Sequence, residues 1–240
     1  MKSSAKKVVE IPLSELHPFK GHPFKVKDDE AMMETADSIK QYGVLVPAIA
    51  RPDPEGGYEL VAGHRRHRAS ELAEKETMPV IVRDLDDDAA TIIMVDSNLQ
   101  RESLLPSERA FAYKMKLDAM KRQVGRPSKE NSVPVGQNFD GKTSRELLAA
   151  KSPDSNTQIQ RYIRLTELIP ELLDMVDNSV LKEAGKLQMA LRPAVELSYL
   201  PEAEQTALLE VMEGEIRTPS HAQAIKMRSF SEQGKLNPDV

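Results

Sequence analysis

The chain of 240 residues contains no cysteine and no tryptophan, and its only other aromatic residues are five Phe and five Tyr. Without thiols there are no disulfides, thiolate nucleophiles or sulfur-ligated metals, and five scattered His residues offer no ligand spacing such as HExxH. So few aromatics point to small aliphatic cores. No apolar run approaches the roughly 18 residues a membrane span needs, and the opening MKSSAKKVVE lacks the apolar stretch of a signal peptide. The expectation is a cytoplasmic protein with no membrane partner. Excess positive charge is missing too: a net charge of −5 argues against coating nucleic acid along the whole chain and confines any such contact to local patches.

With 40% hydrophobic and 30% charged residues, the composition is that of a soluble globular protein, and the length suits two modest domains. One basic patch is present. Between 114 and 129, Lys114, Lys116, Lys121, Arg122, Arg126 and Lys129 stand against the single acid Asp118, a net +5. Such a run is either a solvated helix face leading into a basic loop or a contact with a nucleic-acid backbone.

VVEIPLSEL alternates apolar and polar residues, which predicts a short strand, and HPFKGHPF reads as a loop. From Asp28 to Tyr42 a helix is expected, with Met32, Ala36, Ile39 and Tyr42 on one face and Gly43 just past its end. VLVPAIARP and YELVAG read as strands joined by the turn PDPEGG, and Gly63 opens the next helix. MPVIVRDL reads as a buried strand. Asp86 to Leu99 follows as a helix with Ala90, Ile93, Met94 and Ser97 on one face, its acidic start Asp84 to Asp88 read as solvated.

Beyond 104 the strand signals stop. Ser107 is the expected N-cap of a connecting helix over 105–123, and 124–142, with three Gly and two Pro, is a linker. Its VGRPSK is half of an AT-hook, with Val124 where the first Arg belongs, and reads as basic linker. Further helices follow to about 230, broken near Pro193, Pro201 and Pro219.

Two segments carry chemistry. In VAGHRRHRASEL a glycine at a strand end leads into a helix that begins with His64, Arg65, Arg66 and Arg68. Exposed N–H groups at a strand-to-helix turn, together with the helix dipole, favour an anion there, and guanidinium groups offer bidentate donors to phosphate. Cations in a first helical turn oppose the dipole, so such a helix is less stable without an anion. A second polar cluster, Asp96 to Glu102, lies at the end of the next helix. There Asn98 and Arg101 are placed to close over the same phosphates, and Asp96 or Glu102 to hold Mg²⁺. Alone, such a polar helix end is more often a solvated cap.

Together these segments, with VIVRDL between them, resemble the ParB family of partition proteins, whose pattern is G-E-R-R-x-R-A followed by I-E-N-L-Q-R. The resemblance runs from about Ile11 to Tyr113. It implies a domain that binds CTP with Mg²⁺, in a homodimer that the nucleotide converts into a sliding DNA clamp, with a ParA-type ATPase as a possible partner. By matching positions it implies that Gly63, Arg65 and Arg66 contact the triphosphate, with His64 between them. Asn98 would lie where phosphate meets metal, and Arg101 would complete the pocket. The chain departs from the pattern where His64 and Ser97 replace Glu, His22 replaces Arg and Val46 replaces a common Gln. With those two carboxylates gone, the resemblance implies at most a slow CTPase, and Asp96 is the candidate substitute metal ligand beside Asn98.

Thr143-Ser144-Arg145-Glu146 is a capping box that starts a short helix through Lys151. A turn at Ser152-Pro153-Asp154-Ser155 follows, and then a helix to about Leu168, with Ile159, Ile163 and Leu165 available to pack on Leu147, Leu148 and Ala149. Asn156, Thr157, Gln158, Gln160 and Arg161 occupy its polar face, where recognition-helix residues reach base edges of double-stranded DNA. ELLAAKSPDSNTQIQRYIRL is similar to the ParB helix-turn-helix, with Pro153 in place of the turn Gly.

The expected architecture is an α+β N-terminal ParB-type domain over 1–104, followed by an all-α helix-turn-helix domain over 143–230 whose motif spans 143–168. The expected function is nucleotide-gated, nucleoid-associated DNA binding in chromosome, plasmid or mobile-element partition. The alternatives are a transcriptional regulator of a mobile element without nucleotide switching, or an enzyme, a ParB-like nuclease. Sulfiredoxin-type and nuclease-labelled proteins are similar in superfamily, but the sulfiredoxin Cys is absent and no paired-carboxylate metal site is evident.

Overall fold

A computed structural model describes residues 7–101, 104–124 and 143–236, which divide into two units. The first runs to Gln100 and takes in the helix end from Ala119; the second holds Arg101–Asp118 and the described residues from 143 onward. The division therefore falls slightly ahead of 104 and cuts the expected connecting helix. The expected linker, apart from Val124, lies outside the described residues, as do Arg126 and Lys129.

The first unit is built on five strands, β1 (Val8–Pro12), β2 (Leu16–Pro18), β3 (Ala48–Pro52), β4 (Tyr58–Ala62) and β5 (Thr77–Val82). They form one mixed sheet in the order β1-β5-β3-β4-β2, with β1/β5 and β3/β4 antiparallel and β3/β5 and β2/β4 parallel. Ile11, Leu16, Ala48, Ala50, Leu60, Met78 and Val80 make its core. Three helices belong here: α1 (Glu30–Tyr42), α2 (His64–Leu72) and α3 (Asp87–Leu99). Met32, Ala36 and Ile39 of α1 pack with Ala69 and Ala73 at α2, as their spacing predicts.

Three details differ from expectation. Tyr42 is 63% exposed, because it is the last residue of α1 and Gly43, at φ 73°, turns the chain away. The strand expected from Val44 begins at Ala48: Pro47 has no N–H for the ladder, and Leu45 and Val46 before it are exposed. On α3 the buried face is Ala90, Thr91, Met94, Val95 and Asn98, and Ser97 is exposed. Four consecutive apolar residues, Ile92 to Val95, blur the helical period, so packing against β4 selects the face.

The second unit is helical throughout its described residues. α4 (Pro106–Val124) starts in it, followed by α5 (Ser144–Ala150), α6 (Asn156–Arg164), a 3-10 turn (Leu165–Glu167), α7 (Pro170–Leu181), α8 (Leu191–Leu197), α9 (Glu202–Glu215) and α10 (His221–Glu232). Ser107 is not the N-cap of α4. Pro106 takes the first helical position, where a missing N–H costs nothing, and Ser107 lies inside the first turn. Its N–H and hydroxyl both donate to the buried Asp177 of α7, at 2.9 and 2.5 Å. The helix expected to reach Leu168 tightens into the 3-10 turn after Arg164. Pro193, expected as a break, sits in the first turn of α8, which tolerates it. Leu165, Leu172, Val176, Met189 and Leu197 form the centre of this unit's core.

Candidate functional site

Gly63 caps α2 with φ 111° and ψ 18°, a conformation that strains any residue with a Cβ. A Cβ there would stand 2.9 Å from the Cβ of Ala48 on β3. Glycine thus lets the helix start directly against the sheet. Gly63 has no side chain to cap α2, and a helix start of this kind suits an anion.

The arginines of that turn divide sharply. Arg68 pairs with Asp28 at 2.6 Å and Glu71 at 3.1 Å, and Arg65 with Asp29 at 3.3 Å. The Arg68 hydrogen bond holds the Asp28 carboxyl below its ordinary range; Asp29 is lowered by Arg65 and then by the Met32 N–H it caps. These exposed pairs relieve the dipole conflict at the start of α2. Arg66 has no carboxylate partner among the described residues. Its Nη1 donates to the Val46 and Pro47 carbonyls, the latter at 2.8 Å, and burial pushes its pKa down. It is therefore a half-buried cation whose charge no ion pair offsets.

His64, at the first position of α2, is buried, and its ring stacks on that of His22 at 3.8 Å between centroids. Phe19 N–H donates to His64 Nε2 at 3.4 Å, so the neutral ring carries its proton on Nδ1. His22 Nδ1 donates to the Phe24 carbonyl at 2.8 Å. Two departures from the family pattern, in separate segments of sequence, thus lie against each other. The loop that brings His22 there is fixed by Glu59 of β4, which accepts from Lys20 N–H at 2.9 Å and from Arg51 at 2.6 Å. Glu59, Arg51 and Phe19 escaped the sequence reading, since nothing in YELVA marks its Glu as buried.

On α3, Asn98 is 2% exposed. Its Nδ2 donates to the Met94 carbonyl at 2.8 Å, which fixes the amide orientation, and Oδ1 is enclosed with no hydrogen-bond partner among the described residues. A lone acceptor of that kind fits a hard cation or a donor group of a ligand. Asp96 is exposed, and no group of three or more Asp, Glu or His residues suited to a metal occurs among the described residues. Any Mg²⁺ would therefore take most of its ligands from phosphate and water. Arg101 falls in the second unit.

In the second unit α5 and α6 form the expected helix pair. Thr143 and Glu146 make a complete capping box, Ser155 caps α6, and Leu148, Ile159 and Leu165 are buried. Leu147, Ala149 and Ile163 are only partly so. Asp154 of the turn is held from α4 by Arg109 at 2.8 Å and by the Tyr113 hydroxyl at 2.6 Å. Asn156 and Thr157 are exposed, while Gln158, Gln160 and Arg161 are half-buried. The Gln160 amide nitrogen is enclosed without a partner among the described residues, a cost of about 1–3 kcal/mol that rotation toward an outside acceptor would relieve.

The basic patch of 114–129 largely dissolves. Lys116 is buried, Lys114 pairs with Glu167 at 3.2 Å, and Arg122 pairs with Asp88 at 2.8 Å.

Residues 1–99 match the ParB N-terminal domain family. The chain is 34% identical over 206 residues to the chromosome-partitioning protein Spo0J of Thermus thermophilus, covering 86% of this chain and 65% of that one. It is 29% identical over 209 residues to a nucleoid occlusion protein of Listeria monocytogenes, covering 87% of this chain and 63% of that one. It thus spans a little under two thirds of those relatives' lengths. Among solved structures, a pNOB8-like ParB N-domain is similar with a TM-score of 0.51 at 15% identity, covering 96% of this chain and 94% of that one, which bears on the fold alone. A sheet-to-helix glycine turn followed by arginines, a polar end to the next helix, and these matches agree: residues 1–99 form a ParB N-terminal domain, and the chain is similar to ParB-type partition proteins beyond it.

Proposed function

We propose that this chain is a DNA-binding partition protein whose first unit binds CTP with Mg²⁺ and whose second unit reads duplex through α6. The observation that carries the nucleotide half is Arg66, a half-buried guanidinium with only carbonyl partners, beside a helix start that no side chain caps. A triphosphate would supply the missing negative charge and accept hydrogen bonds from the first turn of α2. Gly63 admits the ligand to the backbone, His64 lines the turn, and Arg65 reaches phosphate by exchanging Asp29 for it. Bound Mg²⁺ would neutralise phosphate charge, with Asn98 Oδ1 as a protein oxygen and Asp96 reaching it through water. By its place in the family pattern, Arg101 is a further candidate phosphate ligand. The family pattern's carboxylates are replaced by His64 and Ser97, so nucleotide acts as a switch and turns over slowly at most.

For the duplex, Asn156, Thr157, Gln158, Gln160 and Arg161 form the surface that enters the major groove. The protein acts as a homodimer on a partition site, with a ParA-type ATPase as partner, and the name of the Listeria relative favours nucleoid occlusion as a second role. Nucleoid association in the cytoplasm follows from the proposed duplex binding; no described helix is long and apolar enough to cross a membrane.

Titration of the full chain with labelled CTP and with ATP, each with Mg²⁺, tests the switch. CTP binds, and Arg66→Ala abolishes that binding while duplex binding persists. Binding of neither nucleotide would leave a DNA-binding regulator without a switch, and cleavage of plasmid DNA would favour the nuclease alternative.

A further inference from the structure

Beside α6 in the second unit is a concavity of about 270 Å³ lined by Arg161 of α6, Arg192, Val195 and Glu196 of α8, and His221 at the first position of α10. Its electrostatics are one-sided. The carboxylate in the lining is already engaged, since Glu196 pairs with Arg228 at 3.2 Å and lies 3.8 Å from His221. Neither Arg161 nor Arg192 has an ion pair among the described residues; Arg161 touches only the side-chain amide of Gln158, at 3.4 Å, and Arg192 is exposed. α10 meets the same concavity at His221, its first residue, so its positive dipole end adds to the two guanidinium charges, while the Ser220–Gln223 capping box already engages the N–H groups of those two residues.

Three separate elements converge here, and that bears on what the site can hold. A base edge at the floor of the major groove is reached by the one helix inserted in it, whereas the phosphates on the groove's rim are reached by elements flanking that helix. Two unpaired, planar guanidinium groups beside a helix N-terminus match a phosphodiester. We infer that Arg161 and Arg192, with the start of α10, form a clamp for the DNA backbone. Within the recognition-helix set, Arg161 then anchors register and does not read a base. This rests on the DNA-binding reading above, and assigns to α8 and α10 a ligand class that their sequence did not suggest.

The test uses the full chain, its Arg161→Ala, Arg192→Ala and Arg192→Lys variants, and two duplexes of equal length. One is selected from a random pool by the unaltered protein, and the other is of random sequence. Each alanine variant shifts affinity for both duplexes by the same factor, about eightfold at 0.1 M salt, and flattens the salt dependence by about 0.9 in log-log slope. Arg192→Lys recovers most of the loss, because a point charge serves a phosphate where a fork is needed for guanine. A variant that lowers the selected-to-random ratio with an unchanged slope makes that arginine a base reader and overturns the clamp, as does unaltered affinity. If the unaltered protein binds neither duplex, the DNA-binding reading falls and the clamp with it. A defect confined to the variants bears on the clamp alone.

Discussion

Gly63→Ala puts the architecture of the nucleotide turn to a quantitative trial. The added methyl must occupy φ 111°, where an L residue is strained by at least about 1–2 kcal/mol. It also meets Ala48 Cβ at 2.9 Å, against a comfortable carbon–carbon separation of about 3.5–4.0 Å, and overlap of that size in a packed region costs about 1–3 kcal/mol. The lower entropy of the unfolded alanine chain offsets about 0.4–1 kcal/mol. The net expectation is a loss of about 2–4 kcal/mol from the first unit, a large share of a stability of about 5–15 kcal/mol. Urea denaturation followed by circular dichroism measures it, and hydrogen exchange in α2 and β3 assigns the loss to this unit. Adding Ala48→Gly separates the two causes, because it removes the methyl that clashes and leaves the dihedral strain. The double variant should regain about 1–3 kcal/mol relative to the sum of the single losses. A cost under about 0.5 kcal/mol for Gly63→Ala, or no coupling with Ala48, refutes the close-approach account.

Two further outcomes are expected. Burial, and then the hydrogen bond to Asp154 and its charge, push the Tyr113 phenol above its ordinary value of 10.0, so the folded state favours the neutral form. That stabilisation is complete below about pH 10 and is lost as pH rises beyond it, and an alkaline denaturation series on Tyr113→Phe should lack this component. Ile159→Ala, at a fully buried position of α6, should cost about 2–5 kcal/mol and weaken duplex binding while CTP binding in the first unit is retained, which parallel titrations would read.

The legible parts of this chain were those with a local cause. The α1 face came from three- and four-residue spacing, and the start of α5 from a capping box contained in four residues. Gly63 was legible as well, because a glycine between an apolar strand and a helix has few other uses. What escaped depended on partners distant in sequence. Asp154 stands in a turn, and nothing around it reveals that Arg109 and Tyr113 hold it from another helix. Ser107 has the residue type and position of an N-cap, yet Asp177 engages it, because Pro106 had already taken the helix start. The buried side of α3 was missed for a different reason: an uninterrupted apolar run carries no phase, and only the sheet beneath it supplies one.

The same distinction governs how an acidic protein can hold anions. A sequence counts cations, but a cation already paired with a carboxylate has little attraction left for phosphate, and only a fold determines which are paired. Arg51, Arg65, Arg68, Arg109, Arg122 and Arg228 all have carboxylate partners here, and Lys114 of the apparent basic patch is paired as well. Arg66, Arg161 and Arg192 have none among the described residues, and each lies beside the start of a helix or in a concavity. Burial pushes the Arg66 pKa down, so an arriving anion there relieves an uncompensated charge. Net charge is then a poor guide to ligand class for this protein. Arg83, Arg145, Arg164 and Arg217 also lack a carboxylate partner among the described residues, but Arg66 and the pair Arg161 and Arg192 define one candidate anion site in each unit, which fits the proposed binding of a nucleotide in one and a duplex in the other.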